Sequence, residues 1–128
     1  MNPQAENHLM TAERHYQVAV FLRSSSPPSM NPGPDEWIIA CLFYSAVHYV
    51  QAYFIETTGR GHESHIDRNN AIPRVRDLAS IRLAYFQLFS WSQTARYDPL
   101  PNLDHRVQPA FDNLQDIAVE IKRLLKIR

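Results

Sequence analysis

Apolar residues along this chain recur at helical spacing, and nowhere do apolar and polar residues alternate with period two over a useful length. Leu9, Ala12, Tyr16, Ala19 and Leu22 (or Arg23) mark one stripe, with Glu6, Glu13 and Gln17 on other sides, and predict a first helix over about 4–24. The next stretch, SSSPPSMNPGP, holds four prolines and one of the chain's three glycines, and predicts a loop. Pro34, Asp35 and Glu36 open a second helix, because acids in the first turn complement the positive end of the helix dipole. That helix runs through WIIACLFYSAVHYVQAYFIE to about Thr58 and stops at Gly59 or Gly61.

After the tight connection GRGHESH, residues 65–75 predict a short helix broken near Pro73. A third long helix is expected over about 77–96, with Leu78, Ile81, Leu83 or Ala84, Phe86, Leu88 and Trp91 facing the core. DPLPNLD predicts a second proline-held loop. The last helix begins near Val107, with Pro109 tolerated in its first turn. Its apolar stripe is Val107, Phe111, Leu114, Ala118, Ile121 and Leu125, and Lys122, Arg123, Lys126 and Arg128 crowd the C-terminal end, where cations are favoured. No internal repeat or low-complexity segment is present. The pattern predicts an all-α, up-and-down bundle of four long helices plus one short helix, filling 1–128 as a single domain.

Composition narrows the function classes. Hydrophobic residues make up 45 % of the 128-residue chain, which excludes a disordered polymer, and 13 basic residues balance 13 acidic ones. There is thus no overall basic field, so any nucleic-acid contact has to come from a local patch. A single cysteine, Cys41, fits a reducing cytoplasm. The polar, acid-containing N-terminus is unlike a secretory signal. The long apolar run is interrupted by Tyr44, Ser45, His48 and Gln51, so no membrane span is expected.

Those interruptions are the first candidates for chemistry, because a buried polar group without a partner costs roughly 1–3 kcal/mol. Cys41, Tyr44, His48, Gln51 and Ile55 share one face of the second helix, and Ile38, Leu42, Ser45, Tyr49 and Ala52 share the next. Tyr44 and His48, one turn apart, are spaced for a hydrogen bond, either as a satisfied core pair or as the lining of a polar cleft. His62 and His65 in GHESH suggest a metal, yet no HxxxH pair and no third ligand completes a set, so neither metal nor other cofactor is expected. His62 reads as an exposed loop residue. His65 reads as a helix-start residue, since Ser64 before it is a good cap. Arg68 and Arg96 are cations that could form ion pairs or present a planar fork to a phosphate.

ERHYQVAVFL, DEWIIACLFYSAVHYVQAYF, GHESHIDRNNAI and YFQLFSWSQTARYD together resemble, in order and spacing, the small prokaryotic HEPN-domain proteins. The resemblance covers roughly residues 12–98, and the last helix agrees only in being amphipathic. It implies an α-helical up-and-down bundle, commonly a homodimer with its site at or near the dimer cleft. It also implies a metal-independent ribonuclease, a nucleotide-binding module or an inactive scaffold, often encoded with a nucleotidyltransferase and found in toxin–antitoxin or defence systems. The ribonucleases of the family use an Arg and a His separated by four to six residues. Here the corresponding positions after Arg68 hold Pro73, Arg74 and Val75, and the first His after Arg96 is His105. Arg60 and His65 have the right spacing, but in the connection after the second helix, where the family does not usually place the motif.

Two functions follow as expectations. In the first, the chain binds RNA or a nucleotide phosphate and has ribonuclease activity. His65 and His48 then serve as acid or base, Arg96 and Arg68 stabilise the phosphate, and Tyr44 and Tyr97 orient it. Its partners are a second copy, RNA or nucleotide, and a nucleotidyltransferase or antitoxin. In the second, the chain is a noncatalytic dimeric scaffold whose His, Arg and Tyr residues form a structural network.

Overall fold

The Asn2 side chain starts the first helix by accepting a hydrogen bond from the Gln4 N–H at 2.8 Å, and Pro3 sits in the first turn, where no N–H partner is needed. This helix, α1, spans Pro3–Ser24 in a computed structural model that describes residues 1–25, 34–98 and 102–126. Most of the expected SSSPPSMNPGP loop, the prolines of DPLPNLD and Arg128 lie outside the described residues. The second helix, α2, spans Asp35–Thr58, followed by α3 at His65–Ala71, α4 at Arg82–Tyr97 and α5 at Val107–Leu124. Short 3-10 turns cover Ile72–Arg74, Arg76–Ile81 and Asp104–Arg106, and no strand occurs among the described residues. The molecule is an all-helical bundle.

α2 is its axis. It packs on α1, α4 and α5, and Ile38, Leu42, Ser45, Tyr49 and Ala52 are all buried, as one whole face of the helix predicted. On length and composition α2 could cross a membrane, but most of its apolar length is covered by the other helices. The α1–α2 contact is close because α1 presents Ala5, Ala12 and Ala19, all fully buried and spaced two turns apart. Between the two helices Ser45 Oγ donates to the Ala12 carbonyl at 2.7 Å, which satisfies one of the polar interruptions of the apolar run. The helices run antiparallel, since Glu56 near the end of α2 accepts from the Asn2 N–H at 2.8 Å.

Two glycines end α2. Gly59 takes the left-handed conformation (φ 82°) and its N–H donates to the Ile55 carbonyl at 2.8 Å. Gly61 allows the returning chain to touch α2: a Cβ there would stand 2.9 Å from the Gln51 carboxamide oxygen. Gln51 in turn holds the His62 backbone at both ends, donating to its carbonyl and accepting from its N–H at 2.8 Å. This polar residue of α2 therefore fixes the α2–α3 turn.

The third long helix starts later than its periodicity suggested. Pro73 and the extended Val75 (φ −103°, ψ 112°) interrupt the chain, and residues 76–81 wind as 3-10 before α4 begins. Three residues per turn stack Leu78 directly below Ile81, and both are buried. Ala84 and Leu88 also face the core, while Leu83 is 71 % exposed and Phe86 and Trp91 are half-buried. Tyr85, missing from the expected core, is fully buried against Phe43, with ring centres 5.8 Å apart. In α5 the predicted stripe from Val107 to Ile121 is buried, with Leu125 partly so.

Candidate functional site

Cys41, Tyr44, His48 and Gln51 lie half-buried along the face of α2 that the spacing assigned to them. The one-turn hydrogen bond between Tyr44 and His48 is not made, because each ring has a partner on another helix. His48 Nδ1 lies 2.8 Å from Nδ1 of His8 on α1, with the two rings stacked at 5.0 Å. His15, two turns further along α1, also stacks on His48 at 5.4 Å and lies 6.3 Å from the Tyr44 ring. Three imidazoles thus bridge α1 and α2.

A bond between two Nδ1 atoms constrains the tautomers. One ring donates and the other accepts, so with both neutral the remaining Nε2 atoms comprise one acceptor and one N–H donor. Neutrality is favoured. Burial, and then the charge of Arg68, lower the His8 pKa, and burial followed by Arg14 lowers that of His15. His48 is pushed down to about 4, first by burial, then by repulsion from His8, His15 and Arg68.

On the opposite side of Tyr44 stand α3 and the end of α4. Ser64 caps α3 as expected, its hydroxyl accepting from the Asp67 N–H at 3.0 Å. The cap sets His65 and Arg68 one turn apart on one side of the short helix. Arg68 is only 4 % exposed. Its Nη1 lies 3.0 Å from His65 Nδ1, and its Nη2 donates to the His62 carbonyl at 2.9 Å. Arginine only donates, so His65 Nδ1 is the acceptor and its remaining proton sits on Nε2. Burial, then Arg68 and Arg96, lower the His65 pKa and keep that tautomer neutral. Arg68 Nε is buried without a hydrogen-bond partner, and no carboxylate contacts the guanidinium among the described residues. The nearby Tyr85 hydroxyl feels this charge but lies outside hydrogen-bond geometry. Burial pushes its pKa up to about 12 against the opposing effect of Arg68.

Arg96, exposed in the last turn of α4, donates through Nη1 to the Tyr44 hydroxyl at 2.8 Å. Its guanidinium carbon lies 5.8 Å from the Tyr44 ring centre and 5.4 Å from that of the exposed Tyr97. The Tyr44 and His65 rings are 6.4 Å apart. Five of the six residues proposed from the sequence therefore form one group, His65 and Arg68 next to Tyr44 with Arg96 and Tyr97 beside it, and His48, one turn along α2, is joined to Tyr44 through His15.

The sequence missed His8 and His15. Their spacing of seven, which places them on one face of α1, was the available signal, and His15 lies within the quoted segment ERHYQVAVFL. His62 is not a free loop residue either. It is half-buried, edge-on to Phe54 with ring centres 4.5 Å apart. Among the described residues no group of three or more His, Cys, Asp or Glu side chains is arranged to hold a metal ion. Comparison with protein-family models, curated proteins and solved structures returns no significant match.

Proposed function

We propose that this chain is a HEPN-like, cytoplasmic, dimeric bundle of four long helices and one short one that binds RNA or a nucleotide through a phosphate at the Arg96–Tyr44–His65 corner. One observation carries the reading. An exposed guanidinium, fixed by the Tyr44 hydroxyl, stands beside the neutral N–H donor of His65, next to the buried Arg68 cation, which has no carboxylate partner among the described residues. Such a group of donors offers a planar fork and a hydrogen bond to phosphate oxygens. The resemblance in segment order supplies the architecture, the second copy and the nucleotidyltransferase or antitoxin partner of the proposal.

Binding is favoured over proton transfer. His65 gives its Nδ1 lone pair to Arg68, and its Nε2 carries a proton, so it acts as a hydrogen-bond donor and not as the base for a 2′-hydroxyl. His48 at about 4 is a weak base at neutral pH. His15 is the imidazole left for a ribonuclease step, next to Tyr44. Titrating the full chain with a short 5′-phosphorylated RNA tests the reading. Arg96→Ala and His65→Ala should weaken binding about tenfold or more, with an unchanged melting temperature for Arg96→Ala. Equal affinity in both variants would sink it. Assaying RNA cleavage in the presence of a chelator then decides between a ribonuclease and a binding module.

The scaffold reading rests on Arg68. A guanidinium this buried, bonded to a backbone carbonyl and a neighbouring imidazole, organises the α2–α3 connection whether or not a ligand arrives.

A further inference from the structure

One helical turn from the Arg96–Tyr44 corner, between the N-terminal part of α1 and the middle of α2, lies a groove of about 190 Å³ lined by Gln4, Asn7, His8, Thr11 and His48. We infer that this groove is a nucleobase subsite, taking the base of the same nucleotide whose phosphate sits at Arg96. The inference rests on the phosphate reading above and names the ligand class more closely.

The groove's chemistry differs from that of the corner beside it. Its lining contains no formally charged side chain. Two imidazoles line it, and because the His48 ring already stacks on both His8 and His15, it is the His8 ring that offers a flat π-face on which a heteroaromatic ring can stack. The Nδ1–Nδ1 bond leaves these two rings one free N–H and one free lone pair, a mixed pattern suited to a base edge rather than to an anion. Gln4 and Asn7 make no side-chain hydrogen bond among the described residues, so both carboxamides are available. A carboxamide presents a donor and an acceptor side by side, the complement of the N6/N7 edge of adenine. Thr11 donates to the Asn7 carbonyl at 2.9 Å and keeps its oxygen as an acceptor. The volume suits one flat ring system and not a larger ligand.

The spacing also fits. Tyr44 and His48 are one turn apart on α2, about 5.4 Å along the axis, a distance that one ribose bridges between base and 5′-phosphate. His15 stands between the two ends, against both the Tyr44 and His48 rings.

Calorimetric titration of the full chain with AMP, ribose 5-phosphate and inorganic phosphate tests this. AMP should bind about tenfold tighter than ribose 5-phosphate, the increment of one stacked base. The Gln4→Ala/Asn7→Ala variant, which removes the edge contacts but keeps the stacking imidazoles, should lower AMP affinity and leave ribose 5-phosphate unchanged, while Arg96→Ala weakens both. Equal binding of AMP and ribose 5-phosphate by the wild type, or no effect of the double variant on AMP, overturns the base subsite even where Arg96→Ala still weakens phosphate. Absence of binding by all three probes, or no effect of Arg96→Ala on any, overturns the phosphate reading and the subsite with it.

Discussion

Arg68 is the residue on which the polar part of this molecule turns. Its charge reaches His8, His48, His65 and Tyr85, yet its hydrogen bonds go to a histidine nitrogen and a carbonyl. Arg68→Ala leaves both acceptors without a donor and opens a void, and should cost about 3 kcal/mol in chemical denaturation. The same variant should raise the His48 pKa in an NMR titration, because one of its repulsive charges is gone; an unmoved His48 would rule out the field effect. The histidines themselves predict a pH dependence. His48 titrates near 6.5 in the unfolded chain and near 4 in the fold, and His8 and His15 shift the same way. Between these values the unfolded chain holds the extra protons, so stability is complete above about pH 6.5 and falls as the pH drops towards 4. A melting series across that window should show the fall, and His48→Phe, which keeps a flat ring but cannot titrate, should make it shallower. The sequence pointed to His48 as a polar residue needing a partner and to Arg68 as a cation for an ion pair or a phosphate. Which partners they take depends on α1 and α3 lying across α2, and a one-dimensional pattern does not contain that.

The elements were mostly legible because each carries its own punctuation. The Ser64 cap, the acids at 35 and 36, the glycines after Thr58 and Pro109 in a first turn all act within a few residues of themselves. The 3-10 run at Arg76–Ile81 was hidden, since Leu78 and Ile81 fit a three-residue period and an α-helical one equally well. Gly61 illustrates a local residue whose reason is tertiary. Gln51 is pinned by two hydrogen bonds to His62 and cannot move aside for a new methyl group without losing them. Gly61→Ala should therefore cost about 1–2 kcal/mol by thermal unfolding, and much less in a Gln51→Ala background, where the obstacle is absent. Additive effects of the two substitutions would mean that the close approach is unimportant.

At the scale of the whole molecule, α1 and α2 leave an apolar surface uncovered. Phe21 and Trp37 are each 64 % exposed, and the antiparallel register that pairs His8 with His48 and Ala12 with Ser45 brings them level near the same end of the helix pair. This is the surface on which the proposed homodimer is tested. Sedimentation velocity should give a dimer, and Phe21→Glu combined with Trp37→Glu should shift it towards monomer. A monomeric wild type would remove the second copy from the proposal. By itself the sequence determined that the chain is helical, where the main helices begin and end apart from the start of α4, and that α2 is apolar on most sides, because helical periodicity and capping are properties of neighbouring residues. Only the tertiary structure decided what the polar residues of α2 are for. Gln51 serves a turn, Ser45 a helix contact, Tyr44 an arginine more than fifty residues later in the chain and His48 a pair of histidines on α1. Those assignments depend on how the helices are rotated and set against one another, which is fixed by side-chain packing between segments distant in the chain.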